Sequence, residues 1–121
     1  MTEQLKYIEP EWASRQQALS NILHRVHFEE NIVSLALNDQ DAAFLEAFML
    51  GFLVTTDNQQ HKKLALVTLG HIARLHRRIS YEETRRAVEA TREDPYCKGT
   101  AEDTLDDFEI FVDRQRNSDH I

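Results

Sequence analysis

The chain has 121 residues, of which 41% are hydrophobic and 29% charged, as expected for one globular domain with its own core. Its formal net charge of −7 disfavours direct binding to nucleic acid, which depends on neutralising phosphates. A single cysteine excludes an internal disulfide and a multi-cysteine zinc site. Three glycines and two prolines are too few to supply the turns of a β-rich fold.

Apolar residues recur at intervals of three and four positions, and this spacing predicts six helices. In chain order they run from about Pro10 to Leu23, Phe28 to Leu37, Asp41 to Val54, His61 to His76, Ser80 to the break at Asp94-Pro95, and Thr100 to Val112.

Two local patterns within these helices carry more specific predictions. Phe44, Phe48 and Phe52 stand at helical spacing in the third helix, which predicts core positions. Ser80 is followed three residues later by Glu83, the capping-box pattern of a helix that begins after a serine.

Two of the predicted helical pairs echo each other along the chain. At an offset of 36 residues, Ala65, Thr68, Leu69 and Ile72 return as Ala101, Thr104, Leu105 and Phe108. A helical pair that repeats in this range is typical of an α-solenoid, in which each pair buries its apolar face on the next. The sequence therefore predicts an all-α fold, a short solenoid of about three helix pairs in one domain over 1–121, with frayed ends at 1–9 and 114–121.

Two stretches carry a family resemblance. KKLALVTLGHIARLHRRI (62–79) resembles the second helix of a HEAT repeat, and DPYCKGTAEDTLDDFEIFV (94–112) is similar to the last repeat of a group of small bacterial HEAT-like proteins. In that group a GHIAR segment, here 70–74, accompanies a closing G-x-AED-x-LDD segment, here 99–107. The resemblance covers roughly 57–113 and departs at Cys97, where the repeat usually has valine.

The resemblance implies a function as well as a fold. Members of the group resemble immunity proteins of bacterial toxin systems, including contact-dependent growth inhibition. The resemblance therefore implies a HEAT-like, non-enzymatic cytoplasmic protein that binds and neutralises a cognate toxin domain.

The sixth predicted helix is strongly acidic on one side. At 100° per residue, Asp103, Asp106 and Asp107 gather opposite the core positions, and Ile110 falls among them. Acidic residues around one apolar side chain resemble the anchor and polar rim of a protein interface. The predicted partner-binding residues are Asp103, Asp106, Asp107, Glu109, Ile110 and Asp113, together with the aligned positions His71 and Arg74.

The repeat alignment leaves a second interpretation of these acids open. Rows that align in stacked repeats are neighbours, so Arg74, Arg77 and Arg78 are candidates to pair with carboxylates of the next helix. Glu102 and Asp103 also lie near the helix start, where the helix dipole favours negative charge. Partner surface and internal ion pairs therefore remain alternatives for this helix.

Catalytic and metal chemistry find little support in the chain. Its six histidines show no His-Glu-x-x-His spacing, and the acidic run lacks the alternation, central glycine and closing glutamate of a calcium loop. Cys97 matches a helix-start position that takes a small apolar residue, which favours a packing role. We expect no enzyme activity, no cofactor and no metal.

The remaining expectations concern location and partners. The beginning of the chain lacks the pattern of a secretory signal, and the longest apolar stretch, AFMLGFLV, is too short to cross a bilayer. We therefore expect a cytoplasmic, monomeric protein with neither direct nucleic-acid binding nor a membrane role. Its expected partner is a toxin domain, and the acidic surface favours a nuclease. The alternative is a general HEAT-like adaptor in a bacterial regulatory complex.

Overall fold

A computed structural model describes residues 14–113, so the ends predicted to fray, 1–9 and 114–121, lie outside the described range. Within that range every regular element is helical, which confirms the all-α prediction. The α-helices are α1 (Arg15–Leu23), α2 (Phe28–Asn38), α3 (Ala42–Thr55), α4 (Gln59–His76), α5 (Glu82–Ala90) and α6 (Lys98–Asp107), with a 3₁₀ turn at Thr91–Glu93 and a π-helical turn at Phe108–Asp113.

The chain divides into two compact units, with the boundary after Gln40. The first contains α1 and α2, and the second contains α3 to α6 and the two short turns. The prediction of a single domain over 1–121 stays a prediction. None of the helices in 14–113 is both long and apolar enough to cross a membrane.

In the first unit, α1 and α2 pack against each other. Ser14 is extended and its hydroxyl accepts a hydrogen bond from the Gln17 amide at 3.0 Å, so α1 begins at Arg15. The predicted start at Pro10 lies outside the described residues. The Arg15 guanidinium binds both carboxylate oxygens of Asp39, at 2.5 and 2.8 Å. This bidentate pair joins the start of α1 to the end of α2.

Helix α3 is apolar on nearly every side, and its faces are buried unequally. The phenylalanine stripe that the sequence places in the core is only half-buried, with the rings of Phe44 and Phe48 6.0 Å apart and that of Phe52 5.8 Å from His61. The prediction of core positions for these rings is wrong because α3 buries a neighbouring stripe instead. That stripe consists of Leu45, Met49 and Leu53.

The one charged residue of α3 is also buried. Glu46 is 1% exposed, and its carboxylate accepts hydrogen bonds from the amides of Ser80 (2.7 Å) and Tyr81 (2.9 Å) and from the Thr84 hydroxyl (2.6 Å). Helix α5 therefore begins after Tyr81, without a cap from its own N-cap side chain. The capping box predicted at Ser80 is wrong: a carboxylate from α3 supplies the acceptor at this helix start.

Helix α4 is the centre of the second unit, with α3 on one side and α6 on the other. Asn58 caps it by accepting from the His61 amide at 3.1 Å, so it begins at Gln59. Its core side includes the fully buried Leu69 and Ile72. It ends where Arg77 adopts a left-handed conformation with φ 52°, and this reverses the chain towards α5.

We expect Glu46→Gln to lower the free energy of unfolding by about 2–3 kcal/mol, because an amide accepts poorly from donors arranged around a carboxylate and leaves buried groups unpaired. Thr84→Val removes one donor and should cost less, about 1 kcal/mol. Urea denaturation followed by circular dichroism measures both.

The matched control for Glu46→Gln is Glu89→Gln, at an exposed position of α5, which should change stability by less than about 0.5 kcal/mol. Equal effects at the two positions would show that the buried carboxylate does not hold α5 in place.

Candidate functional site

The start of α6 is fixed to the start of α4. Cys97, fully buried, precedes α6, and its thiol lies 3.9 Å from the carbonyl oxygen of Gln59. The Asp94 carboxylate accepts from the Gln59 side chain at 3.0 and 3.2 Å and from the Tyr96 amide at 2.9 Å. The packing role expected for Cys97 agrees with its burial, which, together with the nearby Asp94 carboxylate, raises the pKa of the thiol.

The inward side of α6 differs from the expectation by one residue. Ala101, Phe108 and Val112 are buried as the spacing predicts, whereas Leu105 is only partly buried. Thr104 is buried in its place, because its hydroxyl lies 2.8 Å from the Leu66 carbonyl oxygen of α4. The π-helical turn then carries the buried positions on to the end of the element.

Some of the acidic residues pair with basic residues of the same unit. Asp107 binds Arg74 at 2.5 Å, and Asp113 binds both terminal nitrogens of Arg85, at 2.6 and 3.1 Å. Thus the interpretation as internal ion pairs holds for Arg74 and Asp107. Among the described residues, the other two predicted arginines, Arg77 and Arg78, form no ion pair. Arg85, which does pair, lies outside the predicted set.

Glu102 is paired as well, although it was not among the predicted site residues. Its carboxylate lies 2.9 Å from Lys98 and 3.6 Å from Arg92. The hydrogen bond from Lys98 is the largest cause of the lowered pKa of Glu102, and the charge of Lys98 adds to it.

Four of the predicted site residues remain on the outside, and we call them the acidic face: Asp103, Asp106, Glu109 and Ile110. Ile110 is 43% exposed. Within residues 14–113, no basic side chain forms an ion pair with the three carboxylates. Asp103, Asp106 and Ile110 are spaced by three and four residues, which places them along one side of the element.

Asp107 lies between the acidic face and α4. Its pKa is raised, mainly because partial burial penalises the charged carboxylate, with repulsion from Asp103 and Asp106 adding to the effect and Arg74 opposing it. Two of the exposed acids therefore oppose the ionisation of Asp107, while Arg74 favours it.

Helix α4 contributes the other predicted residues, His71 and Arg74. The Nε2 atom of His71 is buried and has no hydrogen-bond partner among the described residues. Burial lowers the pKa of His71, and the charges of Arg74 and His76 lower it further. Val67, one turn before His71, is 54% exposed, an apolar surface residue that the sequence interpretation missed although the same helical spacing applies to it.

Gly70 explains how Asp107 approaches α4 so closely. A Cβ atom at this position would lie 2.7 Å from Asp107 Oδ2 and 3.8 Å from the nearest guanidinium nitrogen of Arg74. Any other side chain must therefore displace the carboxylate. Gly70 begins the GHIAR segment, and an isolated glycine within a helix is the sequence signal for such a close contact. The sequence alone does not identify which side chain occupies the space.

The described residues contain no group of three histidine, cysteine, aspartate or glutamate side chains arranged to hold a metal ion. The arrangement on α6 combines exposed carboxylates, one exposed apolar side chain and an adjoining ion pair, features that are also found on protein-binding surfaces.

No protein-family model, curated protein or solved structure matches the chain.

We expect the effect of Gly70→Ala on stability to depend on Asp107. Alanine in a helix is favoured over glycine by about 0.5–1 kcal/mol, but here its methyl group displaces the carboxylate that binds Arg74. Gly70→Ala should therefore give no stabilisation in the natural chain and about 0.5–1 kcal/mol in an Asp107→Ala background.

The control is Gly51→Ala in α3, where a Cβ would have no neighbour within 4 Å and the full gain is expected. Equal stabilisation by Gly70→Ala with and without Asp107, in urea denaturation, would contradict the close contact.

We also expect His71 to make stability pH-dependent. Because its pKa in the folded protein is below the usual 6.5, the unfolded chain binds this proton more readily. The contribution of neutral His71 to the free energy of unfolding is therefore fully present above pH 6.5, and it is lost as the pH falls towards the lowered pKa. Urea midpoints at about pH 7.5 and about pH 5 should differ less for His71→Gln than for the natural chain, and an unchanged difference would exclude this contribution.

Proposed function

We propose that the chain is a HEAT-like, non-enzymatic cytoplasmic immunity protein, which binds and neutralises a bacterial toxin domain through the acidic face. The observation that carries the proposal is the exposure of three carboxylates on the side of the helix that carries Ile110. Within residues 14–113 these carboxylates form no ion pair, whereas the other acids of the helix are held by arginines and a lysine of the same unit.

The packing of the second unit supports the solenoid part of the proposal. Helices α3 and α4 form one pair and α5 and α6 the next, with α4 against α6 and α3 against α5. Hydrogen bonds link the corresponding helices of the two pairs. Those between α3 and the start of α5 join residues separated by 34 to 38 positions, and those between α4 and α6 join residues separated by 33 or 38 positions. These separations bracket the 36-residue echo of the sequence, as expected for stacked repeats.

The charge of the acidic face supports a basic partner. Carboxylates that face solvent attract a positively charged surface over about 10 Å at moderate ionic strength, and this raises the association rate. Rapid association suits a protein that must intercept a toxin. The substrate cleft of a nuclease is basic because it binds phosphates, so an acidic helix is a suitable plug for such a cleft.

The ion pairs next to the acidic face contribute order rather than binding. Arg74 and Arg85 anchor Asp107 and Asp113, which holds this end of the chain against α4 and α5. A surface that is rigid before binding loses less entropy when the complex forms. Ile110 and Val67, both exposed, supply apolar contact area on α6 and α4.

The alternative function is a HEAT-like adaptor in a bacterial regulatory complex, which the same fold and surface also support. A toxin gene adjacent to the gene for this chain favours immunity. A neighbourhood without one, together with a regulatory protein recovered from the native host by pull-down and mass spectrometry, favours the adaptor.

We expect the variant Asp103→Lys/Asp106→Lys/Glu109→Lys to remain folded but to lose protection when it is co-expressed with the toxin domain encoded beside it. Asp107 is left unchanged because its loss would leave Arg74 unpaired. Reversal of three charges should slow association with the toxin by at least about tenfold at low salt, measured by stopped-flow or surface plasmon resonance.

The matched control makes the same change of charge at three exposed acids elsewhere in the second unit, as the variant Asp57→Lys/Glu89→Lys/Glu93→Lys. This control should retain protection. Protection by both variants, or its loss in both, would refute the assignment of the acidic face. Circular dichroism checks that each variant is folded.

A further inference from the structure

A cleft of about 340 Å³ opens where α4 ends, and we call it the basic cleft. Its lining consists of Arg77, Arg78, Ile79, Ser80 and Val112. Ile79 and Val112 are buried, whereas both arginines are exposed. The cleft therefore combines an apolar floor with two permanent positive charges and a hydroxyl group.

Arg77 occupies a backbone position that arginine rarely takes. Its φ of 52° is in the left-handed region, where glycine or asparagine usually ends a helix and where a Cβ atom costs free energy. Its guanidinium carbon lies 5.4 Å from the centroid of the Phe111 ring, within the range of a cation–π contact. The contact with Phe111 thus holds the Arg77 side chain at the cleft, although the left-handed backbone conformation favours glycine at this position.

The charges at the basic cleft differ from those on either side of it. Arg74 and Arg85 each bind an aspartate. By contrast, among residues 14–113 no carboxylate forms an ion pair with Arg77 or Arg78. Arg78 donates from Nε to the Ser80 hydroxyl at 3.3 Å, and within the described range its terminal nitrogens form no hydrogen bond.

We infer that the basic cleft binds a single carboxylate, presented by an acidic segment of another protein with an apolar residue beside it. Guanidinium groups match a carboxylate with paired hydrogen bonds, and the apolar floor accommodates the neighbouring side chain. This site is separate in its residues from the acidic face and does not depend on the proposed function.

The surroundings favour one carboxylate over a longer polyanion. Glu82 and Glu83 follow the cleft in the sequence, Asp113 follows Val112, and the whole chain carries a net charge of −7. A strand of nucleic acid would bring several phosphates against these carboxylates, whereas one acidic side chain needs only the two arginines.

The test is a titration of the full chain, labelled with ¹⁵N, with a blocked peptide that carries one glutamate between two leucines. We expect saturable shifts of the amide signals of Arg77 to Tyr81 and of the arginine side-chain signals. A matched peptide with glutamine in place of glutamate should bind at least about tenfold more weakly, because the loss of one charge-assisted hydrogen bond raises the dissociation constant by about tenfold or more.

Variants assign the binding to the basic cleft. Arg77→Gly removes the guanidinium at a position where glycine fits the backbone, and Arg78→Gln removes the second charge. Each should weaken the glutamate peptide by about tenfold. Arg86→Gln, at an exposed arginine of α5, should leave binding unchanged.

Several results would overturn the inference. Equal binding of the two peptides, or equal loss with Arg86→Gln, would mean that the cleft does not select a carboxylate. Inorganic phosphate that binds as tightly as the glutamate peptide would reduce the cleft to a site for any anion. A single-stranded oligonucleotide that binds more tightly at the same residues would assign it to nucleic acid instead.

Discussion

The second unit depends on one buried carboxylate. Glu46 accepts three hydrogen bonds from the segment that leads into α5, so the first helix of one pair fixes where the first helix of the next pair begins. A charged group that is 1% exposed is tolerated only with such partners. Because α5 leads into α6, this contact acts together with those between α4 and α6 to position the acidic residues on α6.

Charge in this unit is divided between internal contacts and free surface. Arginines of α4 and α5 hold Asp107 and Asp113, while the carboxylates of the acidic face lie outside. Among residues 14–113, no carboxylate forms an ion pair with Arg77 or Arg78 at the end of α4. The unit thus offers an acidic surface and a basic cleft, formed from neighbouring helices, and opposite charges at separate places allow a partner to bind in a defined orientation.

The difference between paired and exposed carboxylates shows why the candidate site could be predicted only in part. Helical spacing alone placed Asp103, Asp106 and Ile110 on the outside of α6, where the structure has them. Whether a carboxylate was paired depended on the adjacent helix: the repeat alignment suggested Arg74 but also Arg77 and Arg78, and it missed Arg85. The alignment sets which helices are neighbours, but it does not set the positions of flexible arginine side chains, and a left-handed residue at the helix end moves Arg77 towards Phe111.

The amino-acid sequence by itself determined that the described chain is helical, roughly where most helices lie and which side of α6 faces solvent, because these follow from the spacing of apolar residues and from a few breaking residues. Only the tertiary structure decided that α3 buries Leu45, Met49 and Leu53 instead of its phenylalanines, that Glu46 caps α5, and that Gly70 leaves room for Asp107. An almost uniformly apolar helix has no pattern to indicate its buried side, and contacts between residues more than 30 positions apart depend on how the helices pack. Local spacing determines a helix, but its neighbours determine the use of each side chain.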